Sequence, residues 1–139
     1  MLAVSGALSP DTGHHERVTA PLLGIALRNA GLRGSATATG GGAVLPAQYA
    51  NYAAYLEKYA SNLLANGVSL RAISIQNEPD WAPDYESCVW SGAQFLNFFR
   101  TNAPVIQSAP IMMPEALGFN FSLSDPALND SSAVTNIDF

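Results

Sequence analysis

The chain has 139 residues, of which 48% are hydrophobic and 12% charged, and its formal net charge is −5. This length suits one domain, and the six lysines and arginines form no basic stripe, so we expect no nucleic-acid partner. A single cysteine excludes an internal disulfide framework. Because no uninterrupted apolar run is long enough to cross a bilayer, we also expect no membrane span.

The first 42 residues differ in composition from the rest of the chain. They are rich in glycine, alanine, serine and threonine, they show no sustained periodicity, and they close on three glycines. This composition is typical of loops or disorder, and we expect residues 1–42 to be poorly structured. His14, His15 and Glu16 are metal-ligand residue types, but adjacent residues point in different directions and no partner at ligand spacing follows, so we expect no metal site.

Residues 46–66 have the pattern of an amphipathic helix. Pro46 suits a first helical position, and Asn66-Gly67 is an end signal. Apolar residues recur at three-and-four spacing on one face, namely Tyr49, Tyr52, Ala53, Leu56, Ala60, Leu63 and Leu64. The tyrosines could form a sugar-binding platform, but their helical spacing favours packing in the core.

A short apolar run at residues 68–75 predicts a buried strand, and it stops abruptly at Asn77-Glu78-Pro79. A helix that leads directly into a strand is one step of a parallel α/β sheet. In a parallel barrel, side chains at the C-terminal ends of the strands converge on the substrate. A carboxylic acid at position 78 is therefore placed for proton transfer.

A second strand is predicted at residues 111–113, and it also stops at a carboxylate, Glu115. Between the strands, Ser91 and Gln94 form a capping box that opens a helix with three phenylalanines facing inward. Strands that end in glutamates and are linked by a helix indicate βαβ units around a common mouth. We predict an α/β fold in which residues 43–139 form about half of a (β/α)8 barrel of parallel strands, since a complete barrel takes about 250 residues.

The sequence also makes predictions for the segments around these strands. In the loop at residues 80–90, Trp81 could stack on a sugar ring, whereas Tyr85 and Trp90 are expected to fix the loop to the barrel as buried aromatics. Cys88 has no nearby base and is expected to act as a small hydrophobic residue.

The C-terminal part of the sequence has a weaker pattern. Residues 120–134 are polar and predict a loop with one helical turn after Ser124. Residues 136–139 are predicted to open a third strand.

Several segments together resemble glycoside hydrolase family 30, in particular its xylanase-like members. They are Gly40-Gly41-Gly42, Leu45-Pro46, residues 49–56, residues 75–80 (Ile-Gln-Asn-Glu-Pro-Asp), residues 113–115 (Met-Pro-Glu) and residues 123–130 (Leu-Ser-Asp-Pro-Ala-Leu-Asn-Asp). The resemblance covers about residues 35–139. Residues 1–33 depart from it, because they do not supply the proline- and tryptophan-rich third-strand segment of the family.

The resemblance implies a retaining glycosidase on a (β/α)8 barrel with an attached β-sandwich. Glu78 matches the general acid/base at the end of the fourth strand, and Asn77 matches the amide that hydrogen-bonds the 2-hydroxyl of the substrate. The family's nucleophile is a glutamate at the end of the seventh strand. We expect it to be missing from these 139 residues.

Glu115 is the other strand-end glutamate. Retaining hydrolysis needs two carboxyl groups about 5 to 5.5 Å apart with the sugar between them. Neighbouring strand ends place their side chains on one wall, so we do not pair Glu115 with Glu78 as the nucleophile. A hydrogen bond or ion pair that orients Glu78 or the mouth of the barrel is the expected role for Glu115.

The expected function is hydrolysis of a β-linked polysaccharide, and an endo-β-1,4-xylanase or glucuronoxylanase is favoured. Alternatives are a β-1,6-glucanase, a glucosylceramidase-like β-glucosidase or a non-catalytic carbohydrate-binding remnant. No cofactor and no metal is expected. The parent enzyme is expected to be secreted, although no signal peptide is visible in the sequence.

Overall fold

The structure is a computed structural model that describes residues 2–7, 15–20, 40–85 and 87–139. Its strands are β1 (Leu2–Ala7), β2 (His15–Ala20), β3 (Leu70–Ser74) and β4 (Ile111–Met112). Its α-helices are α1 (Tyr49–Ala65), α2 (Gly92–Thr101) and α3 (Phe121–Leu128), and short 3-10 helices lie at Pro46–Gln48, Ala103–Val105 and Val134–Asn136. Within these ranges, no helix is both long enough and apolar enough to cross a membrane.

Helix α1 confirms the amphipathic pattern of residues 46–66. Pro46 opens a 3-10 turn, and the α-helix follows it as far as Ala65. Tyr49 and Tyr52 are buried, and the Tyr52 hydroxyl donates a hydrogen bond to the Ile75 carbonyl oxygen at 2.5 Å. The tyrosine face is therefore core packing that attaches α1 to the end of β3, and not a sugar platform.

Strands β3 and β4 pair in parallel, as predicted, with Ile73 opposite Ile111. The parallel pairing resumes beyond the strands, where Asn77 lies opposite Glu115. Residues 136–139 were expected to open a third strand. The chain there first forms a 3-10 turn. Phe139 then makes two backbone hydrogen bonds beside β4: its N–H donates to Ile111 O at 3.3 Å, and its carbonyl oxygen accepts from Met113 N–H at 2.9 Å.

Strands β1 and β2 lie within residues 1–42, the segment that was predicted to be poorly structured, and for the segment as a whole this stays a prediction. These strands pair antiparallel with each other, and β1 pairs antiparallel with β3, so the sheet is mixed and has the order β2-β1-β3-β4. The physical reason is that the unpaired N–H and C=O groups at an open strand edge can pair with a short segment whatever its side-chain pattern. The other parts of residues 1–39, His14 included, lie outside the described residues.

Helix α2 begins with the predicted capping box. The Ser91 hydroxyl accepts from Gln94 N–H at 3.3 Å, and Ser91 N–H donates to Gln94 Oε1 at 2.7 Å. Its three phenylalanines are fully buried and pack with Tyr49, Tyr52 and Trp90 in one aromatic cluster. Aromatic pairs of this kind contribute roughly 0.5–1.5 kcal/mol each beyond the area that they bury.

Helix α3 begins earlier than the single turn that was predicted after Ser124. It starts at Phe121, and the Asn120 side chain accepts from Ser122 N–H at 3.3 Å as the N-cap. Beyond α3, both carboxylate oxygens of Asp130 accept from the Arg100 guanidinium at the end of α2. This pair lowers the pKa of Asp130 well below its usual range, and Ser132 and Ala133 N–H groups donate to the same carboxylate.

Candidate active site

The turn after β3 holds Glu78 in a fixed backbone position. Its φ of +46° lies in the left-handed region, which residues with a side chain rarely adopt. Glu78 N–H donates to the Glu115 carbonyl oxygen at 2.7 Å, and the Glu78 carbonyl accepts from Trp81 N–H at 3.1 Å. These two hydrogen bonds attach the turn to the end of the neighbouring strand and close it on itself.

The residues before and after Glu78 add further attachments. The buried Gln76 donates its side-chain amide to the Asn77 carbonyl at 2.9 Å. Pro79 is fully buried, and its carbonyl accepts from Trp90 N–H at 3.0 Å. The Asp80 carboxylate accepts from Leu117 N–H at 2.9 Å, which joins the loop after β3 to the loop after β4. Sequence reasoning gave Asp80 no role, because the contact depends on a loop 37 residues away.

Two aromatic side chains lie beside Glu78 at the surface. Trp81 is 40% exposed and Tyr85 is 42% exposed, and their rings meet edge to face with centroids 5.7 Å apart. The Tyr85 hydroxyl lies 3.5 Å from Glu78 Oε2. The expectation that Tyr85 fixes the loop as a buried aromatic is therefore wrong. The Tyr85 ring instead packs edge to face against Trp81 at the surface, and the Tyr85 hydroxyl faces the Glu78 carboxylate.

Trp90 does fix the loop, as predicted. It is buried between Tyr49 and Phe95, with ring centroids 5.2 and 5.0 Å away and nearly parallel planes. Cys88 is also buried among the core residues, which agrees with its expected role as a small hydrophobic residue. Burial raises the pKa of the Tyr49 phenol.

The glycine segment supports the outer side of the same loop. Gly40 N–H donates to Pro83 O at 2.9 Å, and Val89 N–H donates to the carbonyl oxygens of Gly41 and Gly42 at 3.1 and 2.9 Å. Gly41 has φ +82°, and a Cβ there would lie 2.5 Å from Ala82 Cβ. The composition of the sequence grouped these three glycines with the N-terminal segment. In the structure they pack against the loop that carries Trp81 and Tyr85.

The structure brings together the residues that the sequence singled out. Asn77 and Glu115 lie opposite each other, Glu78 follows Asn77, and Trp81 closes the same turn. In the part of the chain that the structure describes, no group of three or more His, Cys, Asp or Glu side chains is arranged to hold a metal ion. The chemistry available at this edge of the sheet is proton transfer by a carboxyl group next to aromatic rings that can stack on a ligand.

A parallel strand pair covered by helices, with a carboxylic acid at the C-terminal end of a strand, is the arrangement of (β/α)8-barrel hydrolases. No protein-family model matches the chain. Individual relatives do. Glucuronoxylanase XynC of Bacillus subtilis (strain 168) is 43% identical over 91 residues, which is 66% of this chain.

Solved structures agree with that match. The glycoside hydrolase family 30 subfamily 8 xylanase Xyn30A of Clostridium acetobutylicum superposes with a TM-score of 0.75 and 42% identity over 79% of this chain. A family 30 endoxylanase of Clostridium papyrosolvens superposes with a TM-score of 0.65 and 41% identity over 70%. Over the matched residues, the chain is similar in sequence and in fold to the xylanase-like members of glycoside hydrolase family 30.

The match covers only part of each relative. The chain spans about a fifth of the curated relative's length (21%), and 29% and 25% of the two solved chains. The common part is thus a segment of an α/β barrel.

Proposed function

We propose that these residues act within a complete (β/α)8 barrel as part of a retaining glycoside hydrolase that cleaves xylan internally. The observation that carries the proposal is the position of Glu78, at the C-terminal end of a parallel strand and in a strained backbone conformation fixed by the next strand. A strained backbone conformation persists only where the surrounding structure holds it in place, and such conformations cluster at active sites and ligand-binding sites. The relatives that are 41–43% identical are named as xylanases.

In the proposed mechanism, Glu78 protonates the glycosidic oxygen as the bond breaks and then removes a proton from the attacking water. Asn77, beside it, hydrogen-bonds the 2-hydroxyl of the sugar, and the half-exposed Trp81 ring stacks on a sugar face. The nucleophile is a second carboxylate, supplied by barrel strands outside the matched segment. It has to lie about 5 to 5.5 Å from Glu78, on the other side of the sugar.

Glu115 is proposed to position Glu78 rather than to attack the sugar. The Glu78 N–H donates directly to the Glu115 carbonyl at 2.7 Å, so the two backbones are neighbours on one wall of the mouth. A sugar lying between two carboxylates needs them on opposite walls.

We propose xylan as the substrate in preference to β-1,6-glucan or a glucosylceramide-like β-glucoside. The support is the identity of 41–43% to proteins named as xylanases or glucuronoxylanases. Xylan is a polysaccharide too large to cross a cell membrane. We therefore further propose that the complete enzyme is secreted. Hydrolysis rates of the complete enzyme on xylan, β-1,6-glucan and an aryl β-glucoside test the substrate.

The decisive experiment replaces Glu78 by alanine in the complete barrel. Hydrolysis of xylan should fall by about 10²- to 10⁴-fold, the usual contribution of a general acid or base. Azide should partly restore turnover of a substrate with a good leaving group, because it can attack the glycosyl-enzyme without a base. Asp125→Ala, which removes an exposed carboxylate from α3, is the control and should leave the rate unchanged. Normal xylan hydrolysis by the Glu78→Ala enzyme would remove Glu78 from the mechanism.

A further inference from the structure

We propose that Tyr85 is a positioning residue for the acid, because its hydroxyl holds the Glu78 carboxyl group in the orientation that protonates the leaving oxygen. The inference rests on the proposed function of Glu78. It adds a residue that the motif around Glu78 does not contain, since Tyr85 is seven positions away in the chain.

The first support is the contact itself. The Tyr85 hydroxyl oxygen lies 3.5 Å from Glu78 Oε2, at the outer limit of a hydrogen bond. Catalytic hydrogen bonds are often long in the absence of substrate and shorten in the reacting complex. The contact can therefore tighten when a sugar excludes water from the mouth.

The second support is that both partners are attached to a common frame. The Trp81 N–H donates to the Glu78 carbonyl at 3.1 Å, and the Trp81 ring meets the Tyr85 ring edge to face at 87°. Further along the loop, the backbone N–H of the buried Trp90 donates to the Pro79 carbonyl oxygen. The phenol is thus held at the carboxylate by the same loop that begins at Glu78.

The third support is the chemistry of a phenol. A retaining acid/base alternates between the protonated and the ionised form in each catalytic cycle. The Tyr85 hydroxyl can donate to Glu78 Oε2 in both forms, because Oε2 is a carboxylate oxygen when Glu78 is ionised and the carbonyl oxygen of the carboxyl group when the proton is on Oε1. Oε1 is then left to protonate the leaving oxygen, whereas a carboxylate at position 85 could not donate at all. Partial desolvation, followed by the charge of Glu78 and its hydrogen bond, raises the pKa of Tyr85, which keeps the phenol protonated.

The experiment compares two substrates in the Tyr85→Phe variant of the complete enzyme. This variant keeps the ring and its contact with Trp81 and removes only the hydroxyl. On xylan, whose leaving group needs a proton, kcat/KM should fall about tenfold, a fraction of the full contribution of a general acid. On a dinitrophenyl xylobioside, whose leaving group needs no proton, kcat/KM should change by less than about twofold.

Tyr59→Phe is the matched control, because it removes the hydroxyl of a half-buried tyrosine on α1 and should not separate the two substrates. The melting temperature of each variant shows that the fold is retained. An equal loss on both substrates would indicate a general structural role and overturn the inference, and so would an unchanged rate on xylan.

The Glu78→Ala enzyme, measured in parallel, distinguishes the two proposals. If its loss is far larger on xylan than on the dinitrophenyl substrate, Glu78 is the acid, and a flat response of Tyr85→Phe then counts against Tyr85 alone. If Glu78→Ala shows no such difference, the proposed function itself fails.

Discussion

At the scale of single residues, Glu57 shows how a carboxylate can serve the fold rather than the site. It lies on α1 and accepts three hydrogen bonds from the segment that leads into β4, from Ser108 Oγ at 2.6 Å, Gln107 N–H at 2.7 Å and Ser108 N–H at 2.9 Å. The carboxylate thereby fixes the start of β4 against the helix that precedes β3. Strand β4 in turn carries Glu115 to the site.

Glu57→Gln is expected to lower the free energy of unfolding of the complete barrel by about 1 kcal/mol at neutral pH, because two backbone donors lose a charged acceptor at a largely solvated position. Partial burial acts to raise the pKa of Glu57, but the hydrogen bonds from Ser108 and Gln107 outweigh it and the pKa in the folded state is lowered. The folded state therefore binds this proton more weakly than the unfolded state does.

The stabilisation by Glu57 is accordingly complete above its ordinary pKa of 4.5 and is lost as the pH falls through the lower folded-state value. Urea unfolding of the wild-type and Glu57→Gln proteins should show a difference at neutral pH that shrinks in acid. The exposed Asp125→Asn on α3 is the control. A difference between wild type and Glu57→Gln that grows as the pH falls would contradict this account.

At the scale of elements, the packing of α2 on α3 depends on a glycine. A Cβ at Gly92, the first residue of α2, would lie 2.2 Å from the Ser122 carbonyl oxygen and 2.9 Å from Pro126 Cγ. Both contacts are shorter than real Cβ atoms show, and one is to backbone. The two helices could accept a larger residue there only by moving apart.

Gly92→Ala should therefore destabilise the complete barrel by about 1–3 kcal/mol, the usual cost of overpacking. Gly118→Ala is the matched control, since a Cβ at Gly118 meets nothing within 4 Å. Thermal unfolding of both variants tests the prediction. Equal melting temperatures would show that α3 is displaced at no cost.

The elements that local rules determine could be predicted from sequence. The 3.6-residue period defined α1, Ser91 and Gln94 defined the start of α2, and the apolar runs before Glu78 and Glu115 gave the parallel strand pair. The pairing of β1 with β3 could not be predicted, because it depends on backbone groups at a strand edge. The start of α3 at Phe121 depends on Asn120 as a cap, and the helix continues past Pro126, a residue that usually marks a helix end.

The candidate site was predictable in the same uneven way. The ends of the two predicted strands hold Asn77, Glu78 and Glu115. The apolar runs of these strands, and the points at which the runs stop, locate all three residues in the sequence. Tyr85 and Asp80 act through loop contacts, and loop conformation is set by tertiary partners that no local pattern reveals.

At the scale of the whole molecule, the described residues leave much apolar surface uncovered. The loop after β4 and the following helix expose Leu117, Phe119 and Phe121, and the Phe119 side chain is 99% exposed. In the strand order β2-β1-β3-β4, β4 is at one edge of the sheet, and among the described residues its outer side meets only the last ones of the chain. Open strand edges and contiguous apolar patches promote association between chains.

We therefore expect the 139-residue chain, expressed alone, to elute as aggregate and to release no reducing sugar from xylan. The proposed acid, Glu78, would supply only a general-acid contribution, about 10²- to 10⁴-fold. The nucleophile is proposed to lie outside these residues, and without it no glycosyl-enzyme forms. Size-exclusion chromatography and a reducing-sugar assay, run beside a complete family 30 barrel, test both parts. A monodisperse monomer whose xylan hydrolysis disappears in Glu78→Gln would refute the expectation. It would mean that a nucleophile lies within these residues, and because Glu115 is the other carboxylate at the strand ends, Glu115→Gln would be the next variant to measure.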